Sequence, residues 1–128
     1  MEQVGTMIAI VDDDESVREA TKSLVRSLGY EAVTFCSAEK FLESAQLKTT
    51  TCLITDVRMP GMSGVELQDR LIADGRILPT VFISAFSDER VQQRVLDSGA
   101  VGYLHKPFEE ERLITCIDTA LKGRGAAR

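Results

Sequence analysis

The stretch "TCLITDVRMPGMSGVEL", Thr51–Leu67, carries three signals in succession. "TCLIT" is a continuous apolar run rich in strand formers, the pattern of a strand buried on both faces. The run ends on a single carboxylate, Asp56, and a basic residue, a Met-Pro pair and a Gly/Ser turn follow it. Ser63 and Glu66 stand at the spacing of a capping box, and Val65, Leu67, Leu71 and Ile72 then recur on one helical face. A buried strand that hands an aspartate to a turn and then enters a helix is the repeating unit of an α/β sheet.

The unit recurs on both sides of this stretch. Upstream, "MIAIV" (Met7 to Val11) reads as a strand that stops at "DDDES", and Val17, Ala20, Leu24 and Leu28 mark a helix that Gly29 stops. "YEAVTF" (Tyr30 to Phe35) is a second strand, and Ser37 caps a helix with Ala38, Phe41, Leu42 and Ala45 inward. Downstream, Pro79 introduces the strand "TVFIS" (Thr80 to Ser84), and Asp88 precedes a helix through Val91, Val95 and Leu96 closed by Gly99. "VGYLH" (Val101 to His105) leads into Lys106-Pro107. Leu113, Ile114, Ile117, Ala120 and Leu121 mark a last helix, ended by Gly123. Strand and helix alternate five times, which predicts an α/β fold, a five-stranded parallel sheet with its five helices on both faces. One domain is expected over residues 1–122, with "GRGAAR" at 123–128 a tail or the start of a linker.

Composition narrows the function classes. The 128 residues suit one domain, and 44% hydrophobic with 27% charged residues is an ordinary globular balance. A net charge of -5 without a Lys/Arg block does not attract nucleic acid. Cys36, Cys52 and Cys116 are widely spaced and there is a single histidine, so a zinc site is disfavoured and reduced, partly buried cytosolic thiols are expected. The apolar runs are too short to span a membrane, and the N-terminus does not resemble a signal peptide.

In parallel sheets of this kind, ligands sit at the carboxyl ends of the strands. The residues delivered there are Asp12 and Asp13, then Asp56, then Ser84, then Lys106. Taken singly each has an ordinary reading: "DDDES" as a helix cap, Asp56 as the start of a turn. Taken together, three carboxylates repel one another unless a cation intervenes. Magnesium suits them, since it takes one or two carboxylates and leaves room for phosphate oxygens, which Lys106 and Ser84 can also bind.

"IVDDDES", "ITDVRMPGMSG", "VFISA" and "GAVGYLHKPF" resemble the signature segments of response-regulator receiver domains, over roughly Met7 to Leu121, and look closest to the FixJ type. The resemblance implies the flavodoxin-like strand order 2-1-3-4-5. It implies Asp56 as the phosphoryl acceptor. Asp12, Asp13, Asp56 and the backbone carbonyl of Arg58 would hold Mg2+, with Mn2+ an acceptable substitute. Ser84 and Lys106 would bind the phosphoryl group, and Tyr103 matches the aromatic position that swings inward on activation. The Lys106-Pro107 bond would be cis. Ser84 stands where threonine is more usual, and His105 reads as a plain exposed strand-end residue. Arg58 and Phe86, each two positions past a site residue, are expected to border the path of hydrolytic water and to tune the phosphoryl lifetime.

The expected function is therefore a phosphoacceptor switched by a histidine kinase, not a turnover enzyme. It would be cytoplasmic, with no membrane partner. Homodimerisation on phosphorylation is expected through the face of the fourth helix, fifth strand and fifth helix. DNA would be reached only through an output domain outside this chain, in a transcriptional regulator; the alternative is a stand-alone receiver. A flavodoxin-like cofactor binder is disfavoured by "DDDES" where a phosphate loop would be. A dehalogenase-type hydrolase is disfavoured by Arg58 where a second aspartate would be.

Overall fold

The computed structural model describes residues 6–126. The expected domain start at residue 1 and the last tail residues, 127 and 128, lie outside the described residues. Five strands, β1 (Met7–Val11), β2 (Glu31–Phe35), β3 (Thr50–Asp56), β4 (Thr80–Ser84) and β5 (Gly102–His105), form one sheet in the order β2-β1-β3-β4-β5. All four pairings are parallel. The helices are α1 (Glu15–Ser27), α2 (Ala38–Glu43), α3 (Gly64–Ala73), α4 (Glu89–Asp97) and α5 (Glu110–Ala126). The expected fold class is thus the observed one. Among the described residues no helix is long and apolar enough to cross a membrane.

The alternating side chains of the strands fill cores on both faces. Ile8, Ile10, Cys52, Ile54, Val81 and Ile83 pack with Val25 of α1 and with Leu113 and Ile117 of α5. On the other face Ala9, Val11 and Leu53 meet Phe41 of α2 and Leu67 and Leu71 of α3, while Phe82 and Tyr103 meet Val95 of α4. Every residue of β4 is buried, which is why that run shows no polar alternation. The strand order reverses between β1 and β3, so their carboxyl ends frame the crevice where such sheets bind ligands.

Caps set the helices as expected at Ser37, Ser63 and Asp88, and the Ser63–Glu66 capping box is complete. Five expectations are corrected. Gly123 does not end α5, which continues to Ala126. The glycines that do follow helix ends, Gly29, Gly75 and Gly99, take φ of 96°, 77° and 108°, and that left-handed turn is what stops a helix. Ala45 is exposed outside α2, because the Ser44 hydroxyl accepts from the Gln46 N–H and opens a separate 3-10 turn over Ala45–Thr49. In α1 the buried positions are Thr21 and Val25, with Ala20 exposed. Ile72 is half exposed at the last turn of α3, and Cys36 is exposed as well.

Candidate functional site

Asp12, Asp13 and Asp56 converge as the strand ends require. Each offers a carboxylate oxygen within 4.8 Å of the others. Asp12 and Asp56 are buried while Asp13 is exposed. Lys106, arriving from the end of β5, places its Nζ 3.0 Å from Asp12 Oδ2 and 3.0 Å from Asp56 Oδ2. One ammonium thus spans two carboxylates that would otherwise repel across the crevice. Among the described residues Asp13 has no hydrogen bond or ion pair to its carboxylate, so its oxygens are available to a ligand.

The remaining contacts fix the carboxylates' orientation. The Asp14 N–H donates to Asp12 Oδ1 at 2.9 Å, and the Arg58 N–H reaches Asp56 Oδ1 at 3.4 Å. Asp14 caps α1 by accepting from the N–H groups of Ser16 and Val17. Burial pushes the Asp12 carboxyl above its usual range, against the opposing pull of the Asp14 N–H and Lys106. For Lys106, burial works downward, but the bonds to Asp56 and Asp12 outweigh it and leave the ammonium harder to deprotonate than usual. A charged lysine between two acids is the resting state this implies.

Two backbone features hold Asp56 in place. The Thr55 hydroxyl donates to the Asp56 carbonyl at 3.0 Å. Gly64, whose N–H donates to Val57 O at 2.8 Å, approaches that carbonyl so closely that a Cβ at position 64 would overlap its oxygen. The turn between them is tied from outside: the Met62 N–H donates to Glu39 Oε2 of α2 at 2.9 Å. None of these ties was read from the sequence. The one available signal was the glycine ending "MPGMSG".

Ser84, Tyr103 and Phe86 form a second cluster, joined to the first among the described residues by the backbone, where the Lys106 N–H donates to the Ser84 carbonyl at 2.8 Å, and by no side-chain hydrogen bond. Ser84 Oγ donates to Phe86 O at 3.2 Å and accepts from Phe86 N at 3.0 Å. The Tyr103 ring is buried, and its hydroxyl lies 3.5 Å from the same carbonyl. His105 is exposed, its ring edge-on to Tyr103 at 5.6 Å between centroids. Phe86 is 52% exposed, with the Arg58 guanidinium over its ring. The two side chains expected beside the water path therefore touch each other. The Lys106-Pro107 peptide is cis, as expected.

The donor set suits a hard divalent cation: all-oxygen, two buried carboxylates and one exposed, open to water on the Asp13 side. It has no thiolate or imidazole that would favour a softer metal.

Comparison with known proteins agrees with this geometry. Residues 8–118 match the family model of the response regulator receiver domain. The chain is 43% identical over 122 residues to the response regulator protein TmoT of Ectopseudomonas mendocina, covering 95% of this chain and 56% of that protein. It is 33% identical over 115 residues to the transcriptional regulatory protein FixJ of Bradyrhizobium diazoefficiens, covering 90% of this chain and 56% of FixJ. The chain thus spans little more than half the length of these curated relatives. Among solved structures, the response regulator StyR superposes with a TM-score of 0.88 at 43% identity, over 96% of this chain and 62% of StyR. FixJ-N superposes at 0.80 and 34% identity, over 90% of this chain and 92% of that one. Fold, acidic crevice and sequence converge, and the chain belongs to the receiver-domain family of two-component response regulators.

Proposed function

We propose that Asp56 accepts a phosphoryl group from a phosphohistidine on a partner histidine kinase and that the domain switches an output surface in response. The observation that carries this is the Lys106 ammonium lying 3.0 Å from both Asp12 and Asp56, with Asp13 within ligand range. In the transfer, a carboxylate oxygen of Asp56 forms a bond to phosphorus, the P–N bond breaks, and the imidazole leaves with a proton from solvent. Asp12, Asp13, Asp56 and the Arg58 carbonyl would hold Mg2+, or Mn2+ in its place. The ion would offset charge on the transferring group. Lys106 is already placed to pair with a phosphoryl oxygen.

The product places nearly two negative charges at the sheet edge. Ser84 Oγ then exchanges its Phe86 partners for a phosphoryl oxygen, Lys106 follows, and Tyr103, already buried beside the Phe86 carbonyl, repacks against the moved loop. The surface of α4, β5 and α5 changes as a shift between two packings. That surface is the proposed site of homodimerisation. Sedimentation of beryllofluoride-treated protein at several concentrations reads this directly, and a strictly monomeric species would count against it.

The domain works as a phosphoacceptor, not a turnover enzyme, in the cytoplasm. Transcriptional control through an attached DNA-binding output is favoured over a stand-alone receiver, because FixJ and the other relatives are about twice as long as the region matched. The test of the central claim is intact mass after acetyl phosphate and Mg2+. One phosphoryl mass is expected on the parent and none on Asp56→Asn; equal labelling of both would remove Asp56 from the role.

A further inference from the structure

The turn that carries Asp13 is held by a residue outside the acidic cluster. The Arg18 N–H donates to the Asp14 carbonyl at 2.9 Å, the first bond of α1. The same residue's guanidinium folds back, and Nη1 donates to the Asp12 carbonyl at 2.8 Å. One residue therefore holds the two carbonyls on either side of Asp13. Every other tie in the turn falls on the flanks too. Asp12 is fixed by its N–H to Phe35 O at 3.1 Å, by Asp14 N on Oδ1 and by Lys106 on Oδ2. Asp14 is fixed by its cap bonds to Ser16 and Val17. Among the described residues Asp13 alone of the three carries its carboxylate free, on a backbone clamped from both sides.

We infer that Arg18 is a positioning residue for the metal-ligating turn, holding the Asp13 carboxylate toward Asp12 and Asp56. The inference rests on the proposed cation site. It concerns an arginine that touches neither the acceptor nor a carboxylate of the triad among the described residues, and whose bond to Asp12 goes to the backbone.

The sign of the effect separates this role from plain electrostatics. A guanidinium near a cation site repels the cation, so removing the charge should tighten Mg2+ binding if charge were all that mattered. If Arg18 pre-organises the turn, removing its donors loosens Asp13 and weakens binding. Outer-shell groups that orient metal ligands have effects of roughly ten- to hundredfold on affinity. A bond to the adjacent peptide, one step further out, is expected to give about fivefold.

The test is calorimetric titration of Mg2+ into the parent, Arg18→Met, Arg18→Lys and Asp13→Asn, with the Mg2+-dependent rise in melting temperature as a second readout. Arg18→Met keeps the aliphatic stem and removes every side-chain donor. It should raise the Mg2+ Kd by about fivefold, while the acetyl phosphate labelling rate at saturating Mg2+ stays within about twofold of the parent, since Asp56 and Lys106 are untouched. Arg18→Lys retains a donor and the charge and should return the Kd to within about twofold of the parent. If Arg18→Met does not fold, Arg18→Leu, which likewise has no side-chain donor, takes its place. An unchanged or tighter Kd without the guanidinium overturns the inference, as does Arg18→Lys binding no better than Arg18→Met. The two readings fail differently. A parent that does not bind Mg2+, or binds it equally after Asp13→Asn, overturns the cation site itself. A parent that binds normally beside an unweakened Arg18→Met overturns only the role of Arg18.

Discussion

The guanidinium of Arg58 lies over the face of Phe86, 4.5 Å from the ring centre. Arg58 comes from the turn after β3 and Phe86 from the turn after β4, so the stack ties together the two loops that flank Asp56. Each residue also reaches the site through its backbone: Arg58 N–H toward Asp56 Oδ1, Phe86 N–H to Ser84 Oγ. Both side chains are exposed, yet neither simply points into solvent. An exposed cation–π pair contributes about 0.5–1 kcal/mol, enough to favour the closed arrangement over a splayed one.

The stack bears on how long a phosphoryl group would persist on Asp56. Neither side chain is a carboxylate or amide able to orient a hydrolytic water, and the stacked pair is expected to border one approach to Asp56. The double variant Phe86→Glu with Arg58→Asn should shorten the phosphoryl lifetime on the order of tenfold, equivalent to about 1.4 kcal/mol of transition-state stabilisation. Either single change already breaks the stack, so the two effects should not add. First-order decay of the phosphorylated protein in Mg2+, parent beside single and double variants, reads both. Equal or slower decay in the double variant would show that these side chains do not set the lifetime.

Asp13 is the exposed member of the triad and the one that Lys106 does not neutralise. Without metal its charge repels the other two carboxylates and gains no ion pair among the described residues. Asp13→Asn should raise the metal-free melting temperature by roughly 1–2 °C, the scale of a few tenths of a kcal/mol in a domain of this size. The same change should weaken Mg2+ binding and so shrink the stabilisation that the ion confers by binding only the folded state. Calorimetric melting with and without Mg2+ checks both; a variant that melts below the parent without metal would contradict the expectation.

Stability should depend on pH at both ends of the scale. Burial raises the Asp12 carboxyl above its ordinary 3.8, so folding favours its protonated form. That contribution is complete below pH 3.8 and is lost as pH rises through the elevated value. Lys106 is raised above 10.5 by its two carboxylates, despite burial; its contribution is complete below 10.5 and is lost as pH rises through the folded value. In metal-free denaturant titrations the stability of the parent relative to Asp12→Asn should therefore decline with pH just above 3.8. The stability relative to Lys106→Met should decline in the same direction above 10.5. A rise in either window would contradict the assignment.

The parts legible in the sequence were those written into runs and run ends. Five apolar segments gave the sheet, and the residues just past them gave Asp12, Asp13, Asp56 and Lys106, because a parallel sheet collects its strand ends at one edge. What stayed hidden depends on backbone partners, which have no letter. Arg18 binds a carbonyl and Glu39 an N–H group, and any residue could have supplied either. The buried face of α1 was misplaced by one position at Ala20 because Thr21, a polar residue, takes the inward place. Gly123 looked like a stop, but a glycine ends a helix by its left-handed φ and not by its identity.

The Ser84 hydroxyl already has partners on Phe86, donating to its carbonyl and accepting from its N–H. Turning toward a phosphoryl oxygen means giving up both bonds, at a net of about 1 kcal/mol each. Without the phosphoryl group the turned hydroxyl should then be occupied only about 3% of the time. On the proposed reading of Ser84, that fraction would be the background of the switch, held down by two hydrogen bonds to a single loop residue.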